Sequence, residues 1–202
     1  FFTLNNNSIE IKYFQLLTWQ IQSKHCSIVT MSRKTINEIN NLTNEEFERE
    51  FSNVIELYPQ AAMAVKNKRP FRSVKDLCEA FGNYLDSSCE NEKLKILKLH
   101  PDLAGGLESQ GSLTEESAQE QVAAGLDQLT DEQQTTITKC NERYRFKFGF
   151  PFIICARANK VESIISGLQT RLDNSKEEEI ITSIEEVKNI CSLRIMEIVE
   201  DN

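Results

Sequence analysis

The hydrophobic positions from residue 42 onward recur three or four residues apart, which is the spacing of one face of a helix. Thr43 and Glu46 form a capping box at the start of the first such run, and Pro59 ends it. The apolar positions between them are Phe47, Phe51, Val54, Ile55 and Tyr58. This pattern predicts a helix from about residue 44 to residue 58.

Further helices follow along the chain. Ser73 caps a helix with an apolar stripe at Leu77, Phe81, Tyr84 and Leu85, and a short helix after it runs into His100-Pro101. Helices are also predicted over about 115–127, from 131 to 148, over about 159–173 and over 176–199. Gly105-Gly106 allow a tight connection before the first of these four.

One apolar run does not fit a helix. Residues 152–156 read Phe-Ile-Ile-Cys-Ala, directly after Gly149-Phe150-Pro151, and are too few to form a helix of their own. They predict a buried, extended segment. The fold class expected is therefore all-α, a single compact multi-helix domain with one short extended segment near 152–156.

The first thirty residues differ from the rest of the chain. They contain only three charged side chains, Glu10, Lys12 and Lys24, and they resemble neither a secretory signal nor a transit peptide. We interpret 1–30 as a leader or a gene-model artefact outside the fold, and 31–202 as the domain, with Met31 as the expected start.

Composition narrows the function classes. The net charge of −8 disfavours binding to phosphate backbones, and no apolar run reaches the ~20 residues that a membrane-spanning helix needs. The six cysteines lie at least eleven residues apart, so no zinc-ribbon or thioredoxin motif is present and no metal is expected. Cys78 and Cys191 fall among apolar residues at helical spacing and are interpreted as packed, reduced thiols, which fits an intracellular compartment.

Several polar residues interrupt the apolar patterns. On the helix over 115–127, Ser117, Glu120 and Gln121 share an arc that is separate from the stripe of Ala118, Val122 and Leu126. Such an arc is ordinarily a solvated face, and the alternative is a binding site.

Arg194 lies in the apolar stripe of the last helix, between Cys191 and Ile198. It either snorkels outward, pairs with a structural carboxylate, or binds an anionic or amide-like ligand. His100 is the one histidine of the expected domain and should sit at a helix end, because the residue before a proline is pushed out of the α region. A lone histidine is usually structural, yet it titrates near neutrality and could transfer protons.

Three ordered segments resemble a known enzyme family. These are His100-Pro101-Asp102-Leu103-Ala104-Gly105, Ser117-x-x-Glu120-Gln121-x-x-Ala124-Gly125-Leu126 and Asn141-x-x-Tyr144-x-x-Lys147-Phe148-Gly149-Phe150-Pro151-Phe152-Ile153. Together with Arg194 they resemble the 2-oxo-4-hydroxy-4-carboxy-5-ureidoimidazoline (OHCU) decarboxylases, over about residues 40–200.

The resemblance implies a cofactor-free decarboxylation that yields (S)-allantoin, the last step from urate, carried out by a homodimer. It implies catalytic roles for His100, Glu120 and Arg194, with His100 as the acid/base residue. It also implies substrate contacts at Pro101, Ser117, Ala118, Gln119, Glu120, Gln121, Phe152, Ile153, Ile154, Cys155, Ala156 and Arg194.

Two alternatives remain. One is a non-catalytic helical binding module of the same fold, and the other is a hydrolase that uses Cys155 or Cys140 with His100. The compartment also stays open between peroxisome and cytoplasm, because the sequence given ends Val199-Glu200-Asp201-Asn202 and shows no Ser-Lys-Leu-type signal.

Overall fold

A computed structural model describes residues 32–105 and 113–202. In that part of the chain the fold is helical, as the sequence predicted, and a single pair of two-residue strands accompanies the helices. The expected boundary at Met31 and the predicted turn at Gly106 lie outside the described residues. The α-helices are α1 (Ile36–Asn41), α2 (Asn44–Glu50), α3 (Gln60–Val65), α4 (Val74–Ser87), α5 (Glu90–Leu99), α6 (Glu115–Ala123), α7 (Asp131–Phe148), α8 (Val161–Arg171) and α9 (Lys176–Ile198).

The strands β1 (Lys34–Thr35) and β2 (Val199–Glu200) pair in parallel and join the two ends of the described chain. Helix α9 is the longest and packs against α4, α5 and α7. Its buried face includes the predicted stripe of Ile180, Ile184, Val187, Cys191 and Ile195, and Arg194 lies on that same buried face. None of the described helices is long and apolar enough to cross a membrane.

The prediction of a helix through Tyr58 is wrong beyond Glu50. Phe51 is already the C-cap of α2, and Leu57 has a left-handed backbone with φ of 50°. The side-chain oxygen of Asn53 accepts a hydrogen bond from the Leu57 amide at 2.8 Å, and this local bond competes with a helical one. The five apolar side chains are all buried. The spacing of these residues therefore predicted correctly that their side chains are buried. The backbone after Glu50, however, forms turns and does not continue the helix.

The other helix predictions agree within a few residues. Ser73, Thr114, Thr130 and Ser175 each accept a backbone hydrogen bond as N-caps, which satisfies amides that the first turn leaves free. Gly149 ends α7 in the left-handed conformation with φ of 81°. Of the predicted extended segment 152–156, residues 152–155 are buried and non-helical as predicted. Ala156 is also buried but begins a short 3-10 helix, Ala156–Ala158, so the prediction is wrong at that residue.

Candidate active site

The segments singled out by the sequence meet around one small cavity that is partly open to the surface. Its wall combines the end of α5 with Pro101, one face of α6, the segment that follows α7, and Arg194 of α9. The lining residues are His100, Pro101, Leu103, Ser117, Glu120, Gln121, Phe152, Ile153, Ile154, Ala156, Ile190 and Arg194. The volume of this cavity is about 30 Å³. Ligand pockets are usually at least roughly 300 Å³, so lining side chains must move to admit a ligand.

Most of the predicted contact residues are in this wall, and three are not. Gln119 is exposed and bonds Glu115 on the surface, while Ala118 and the thiol residue Cys155 also lie outside the lining. Leu103 and Ile190 line the cavity but were not predicted. Apolar residues within apolar surroundings carry no sequence signal that separates a pocket wall from the core.

His100 presents one unpaired nitrogen. The residue is the C-cap of α5, it is 7% exposed, and its Nδ1 lies 3.1 Å from the Ile96 carbonyl oxygen. A carbonyl only accepts, so Nδ1 carries the proton and Nε2 of the neutral ring is an acceptor. Nε2 is buried without a hydrogen-bond partner in the described structure. The arrangement leaves a proton-accepting lone pair ready for a ligand.

The protonation state of His100 follows from its burial. Burial lowers the pKa of His100 from 6.5 to about 4, while the Ile96 hydrogen bond and the Glu56 charge act in the opposite direction. The positive charge of Arg194 lowers the pKa further. The ring is therefore neutral at physiological pH, which is the form that accepts a proton.

Arg194 is 3% exposed, and each of its guanidinium nitrogens has a partner. Nε and one terminal nitrogen donate hydrogen bonds to the two carboxylate oxygens of Glu120, at 2.7 and 2.8 Å, and form a bidentate ion pair. The second terminal nitrogen donates to the Asn53 carbonyl at 2.8 Å and also lies 2.8 Å from Glu56. Burial opposes the charged form, but the hydrogen bonds and charges of Glu120 and Glu56 outweigh it and raise the pKa of Arg194. The guanidinium stays protonated and fixed.

Glu56 belongs to the buried cluster around Arg194, and the sequence analysis did not predict it. It is 1% exposed and comes from the turn that replaces the end of the predicted helix. Its carboxylate accepts from Thr114 and Ser117, each at 2.8 Å, in addition to its contact with Arg194. A buried charge needs partners of this kind to be tolerated. The available signal was an acidic residue flanked by apolar ones, Ile55 and Leu57, before a proline.

The polar arc of α6 faces the interior. Ser117 and Gln121 are buried, whereas Val122 of the apolar stripe is 56% exposed. The interpretation of this arc as a solvated face is therefore wrong. Ser117 bonds Glu56 and Arg194, and Gln121 bonds backbone groups of Asp102 and Ala104. Glu120 bonds Arg194 rather than His100.

Amide side chains fix the loop after His100. Gln121 accepts from the Ala104 amide at 2.9 Å, Gln134 donates to the Ala104 carbonyl at 2.9 Å, and Asn141 donates to the Leu103 carbonyl at 2.9 Å. Ala104 has a left-handed φ of 50°, an unfavourable backbone for alanine that these bonds hold in place. Side chains of α6 and α7 therefore hold the backbone of Leu103 and Ala104 in place.

Neither Cys155 nor Cys140 is placed to act as a nucleophile with His100. Cys155 is buried, and burial raises the pKa of its thiol, the opposite of what a reactive thiolate needs. Cys140 lies on α7 and is also buried. Neither lines the cavity with His100, which removes the basis of the hydrolase alternative.

Comparisons with known proteins agree with the geometry. Residues 40–196 match the family model described as OHCU decarboxylase. The 2-oxo-4-hydroxy-4-carboxy-5-ureidoimidazoline decarboxylase of Amia calva is 42% identical over 163 residues, which is 81% of this chain and 93% of the relative. The Xenopus laevis enzyme of the same name is 40% identical over the same shares of both chains.

Two solved structures share the fold at 20% sequence identity. A crystal structure of (S)-allantoin synthase aligns with a TM-score of 0.68 and covers 83% of this chain and 54% of that one. A crystal structure of OHCU decarboxylase in the presence of (S)-allantoin aligns with a TM-score of 0.56 and covers 67% and 87%.

Proposed function

This chain belongs to the OHCU decarboxylase family, and on that premise we propose that the cavity around His100 is where it decarboxylates 2-oxo-4-hydroxy-4-carboxy-5-ureidoimidazoline to (S)-allantoin. The protein is a decarboxylating lyase of urate degradation. The observation that carries the site assignment is the buried, unpaired Nε2 of His100 in a cavity walled by Glu120 and Arg194.

The substrate itself supplies an electron sink. When the bond between C4 and the carboxylate breaks, CO2 leaves and the electron pair moves toward the adjacent C5=N bond, whose nitrogen takes up a proton. The C4 hydroxyl then loses its proton as C4 becomes a carbonyl, and C5 gains a proton on one face. The protein has to orient the ring, place charges and deliver that proton stereospecifically.

His100 fits the proton-transfer role. Its Nε2 is a free acceptor, so it can take the proton of the C4 hydroxyl and return one to C5. The bond from Nδ1 to Ile96 fixes the ring orientation during both transfers. The negative charge of a bound substrate favours the imidazolium and so compensates for the burial that keeps the free ring neutral.

Glu120 and Arg194 set the charge pattern around the substrate. Because each nitrogen of Arg194 already has a partner, the guanidinium reaches a substrate oxygen only by exchanging one of those contacts. A perfect bidentate pair with the departing carboxylate would stabilise the ground state and slow decarboxylation. We therefore assign Arg194 to a carbonyl or ureido oxygen and to holding Glu120.

The segment 152–156 and Pro101 complete the proposed substrate contacts. Ser117 and Gln121 already bond protein groups, Glu56 and Ala104 respectively, so they support the site from within its wall. The peptide groups near Ile154 suit a ligand rich in amide groups.

The test is turnover itself. OHCU generated in situ from urate by the two upstream enzyme activities should convert to (S)-allantoin faster with this protein than without it, followed by circular dichroism. If allantoin instead forms at the spontaneous rate and as a racemate, the proposed function fails and the binding-module interpretation leads.

The resemblance also motivates a homodimer in the peroxisome or the cytoplasm, which we keep as proposals. Sedimentation velocity would give the oligomeric state of the purified chain. Fractionation of the source cells would distinguish the two compartments.

A further inference from the structure

All residues of the segment 152–156 except Cys155 line one side of the cavity, and side chains from α8 and α9 bond the backbone of this segment. Arg171 donates to the Ile153 carbonyl at 2.8 Å, and Glu186 accepts from the Cys155 amide at 2.8 Å. We infer that Arg171 and Glu186 are positioning residues, which hold the backbone of this segment in the position that binds substrate. The inference rests on the proposed function, because it assigns these residues to the binding of that substrate.

Other buried side chains hold the Arg171 guanidinium in place. Glu179 is fully buried and accepts from both Nε and a terminal nitrogen of Arg171, with 2.8 Å to Nε. Ser183 accepts another bond from Arg171 at 3.0 Å. The guanidinium also lies over the Phe152 ring, 4.6 Å from its centroid. The nitrogen that reaches Ile153 therefore has little freedom to move, and neither does the carbonyl it binds.

Glu186 has a simpler environment. It is half-buried on α9, and the Cys155 amide is its hydrogen-bond partner among the described residues. No ion pair of the described residues includes it, in contrast to its neighbour Glu185, which pairs with Lys188 at 2.9 Å. A carboxylate that accepts a backbone N–H in partly buried surroundings makes a strong, charge-assisted bond. Its structural effect is concentrated on the position of Cys155.

Arg171 and Glu186 bond the two residues that flank Ile154 in the chain, Ile153 and Cys155. The side chains of Phe152 and Ile154 share one face, because a methyl group at Gly167 would lie 3.7 Å from each of them, as expected for an extended chain. The Ile154 peptide N–H and carbonyl take part in none of the hydrogen bonds among the described residues. Fixing residues 153 and 155 thus presents the peptide of residue 154 at a defined position, and a ureido group has the matching donors and acceptors.

Loss of either Arg171 or Glu186 should reduce the affinity for substrate more than the rate of the chemical step. The segment contacts substrate, whereas proton transfer belongs to His100 on another element. Removal of uniform binding raises KM and leaves kcat close to its original value. The loss of one charge-assisted hydrogen bond corresponds to a change in KM on the order of tenfold.

The experiment compares variants on α9 that remove the same charge. Glu186→Ala should raise KM on the order of tenfold with kcat near wild type, while Glu185→Ala, one residue away and exposed, should leave both parameters unchanged. Glu186→Gln keeps a carbonyl acceptor and should recover most of the lost affinity. Arg171→Lys should also raise KM, because one ammonium cannot bind Ile153, Glu179 and Ser183 together.

The outcomes separate this inference from the proposed function. If the wild-type protein does not accelerate (S)-allantoin formation, the function is wrong before any variant is made. If the wild type is active and Glu186→Ala has the KM of Glu185→Ala, the positioning role is wrong while the function stands. A lowered melting temperature with unchanged KM would likewise overturn it. The Glu186 series decides the matter even if Arg171→Lys fails to fold.

Discussion

The Glu56 carboxylate lies 2.8 Å from a terminal guanidinium nitrogen of Arg194, and both side chains are almost completely buried. Glu120 binds the opposite edge of the same guanidinium. Two carboxylate side chains thus pair with one guanidinium in the neighbourhood of His100. The first three predictions below test this buried cluster and His100.

The first prediction concerns the charge of Glu56. That charge raises the pKa of His100 against the larger effect of burial, so Glu56→Gln should lower the pKa of His100 further. The acid limb of kcat/KM reports the free enzyme, and it should move to lower pH in this variant. Glu45→Gln, on the exposed face of α2, serves as the matched control and should leave the limb in place. An acid limb that stays put or moves upward in Glu56→Gln would show that Glu56 does not act on His100.

The second prediction concerns the stability supplied by Arg194. Arg194→Met leaves the buried Glu56 and the largely buried Glu120 without their cation, and the free energy of unfolding should fall by about 3–5 kcal/mol. Arg194→Lys should also have reduced turnover, because a lysine ammonium cannot reproduce the planar set of N–H donors of the guanidinium. Urea unfolding of both variants gives the stabilities, with exposed Arg143→Met as the control. Unchanged stability in Arg194→Met would mean that the pairs do not exist in solution.

The third prediction concerns stability and pH. The pKa of His100 is about 4 in the folded protein and 6.5 when unperturbed, so the unfolded chain binds more protons between these values. Stability therefore decreases as pH falls from about 6.5 toward 4, by on the order of 3 kcal/mol from this residue. His100→Asn should lack this component. The check is the difference in unfolding free energy between the two proteins at pH 7 and pH 4.5. An equal loss on acidification in both would exclude a neutral, buried His100 as its source.

The fourth prediction concerns two glycines in different backbone conformations. Gly82 lies inside α4, where an added methyl would meet only the flexible Lys188 side chain at 3.4 Å, so Gly82→Ala should stabilise by about 0.5–1 kcal/mol. Gly149 has φ of 81° at the C-cap of α7, and Gly149→Ala should destabilise by about 1 kcal/mol. Thermal melts of both variants test the pair. Shifts of the same sign would contradict the assigned backbone conformations.

The sequence predicted most helices because caps and apolar periodicity act locally. It failed after Glu50, where Asn53 bonds the Leu57 amide and a tertiary contact from Arg194 engages the Asn53 carbonyl. The Asn53 bond is local, but the Arg194 contact comes from 141 residues away and leaves no trace in the local pattern. The burial of Ser117 and Gln121 was missed for the same reason, because their partners come from distant parts of the chain.

The candidate site was predicted in part from the residue pattern and in part from the family resemblance. Periodicity placed Arg194 on the buried face of α9, and Pro101 placed His100 at a helix end, as found. From the residues alone, a pocket formed by His100, Glu120 and Arg194 was only a possibility, and the family resemblance made it the prediction. Glu56 carries no motif, and its role becomes visible only through its contacts.

The most direct test of the account is the rate and handedness of allantoin formed by wild type and His100→Asn from OHCU generated in situ. The account predicts rapid formation of (S)-allantoin by the wild type. It predicts that His100→Asn forms allantoin about 10²–10⁴-fold more slowly, although the variant stays folded at pH 7. The allantoin that this variant forms should be closer to a racemic mixture. Near-complete retention of rate and (S) selectivity in folded His100→Asn would contradict the role of His100 as the proton-transferring residue.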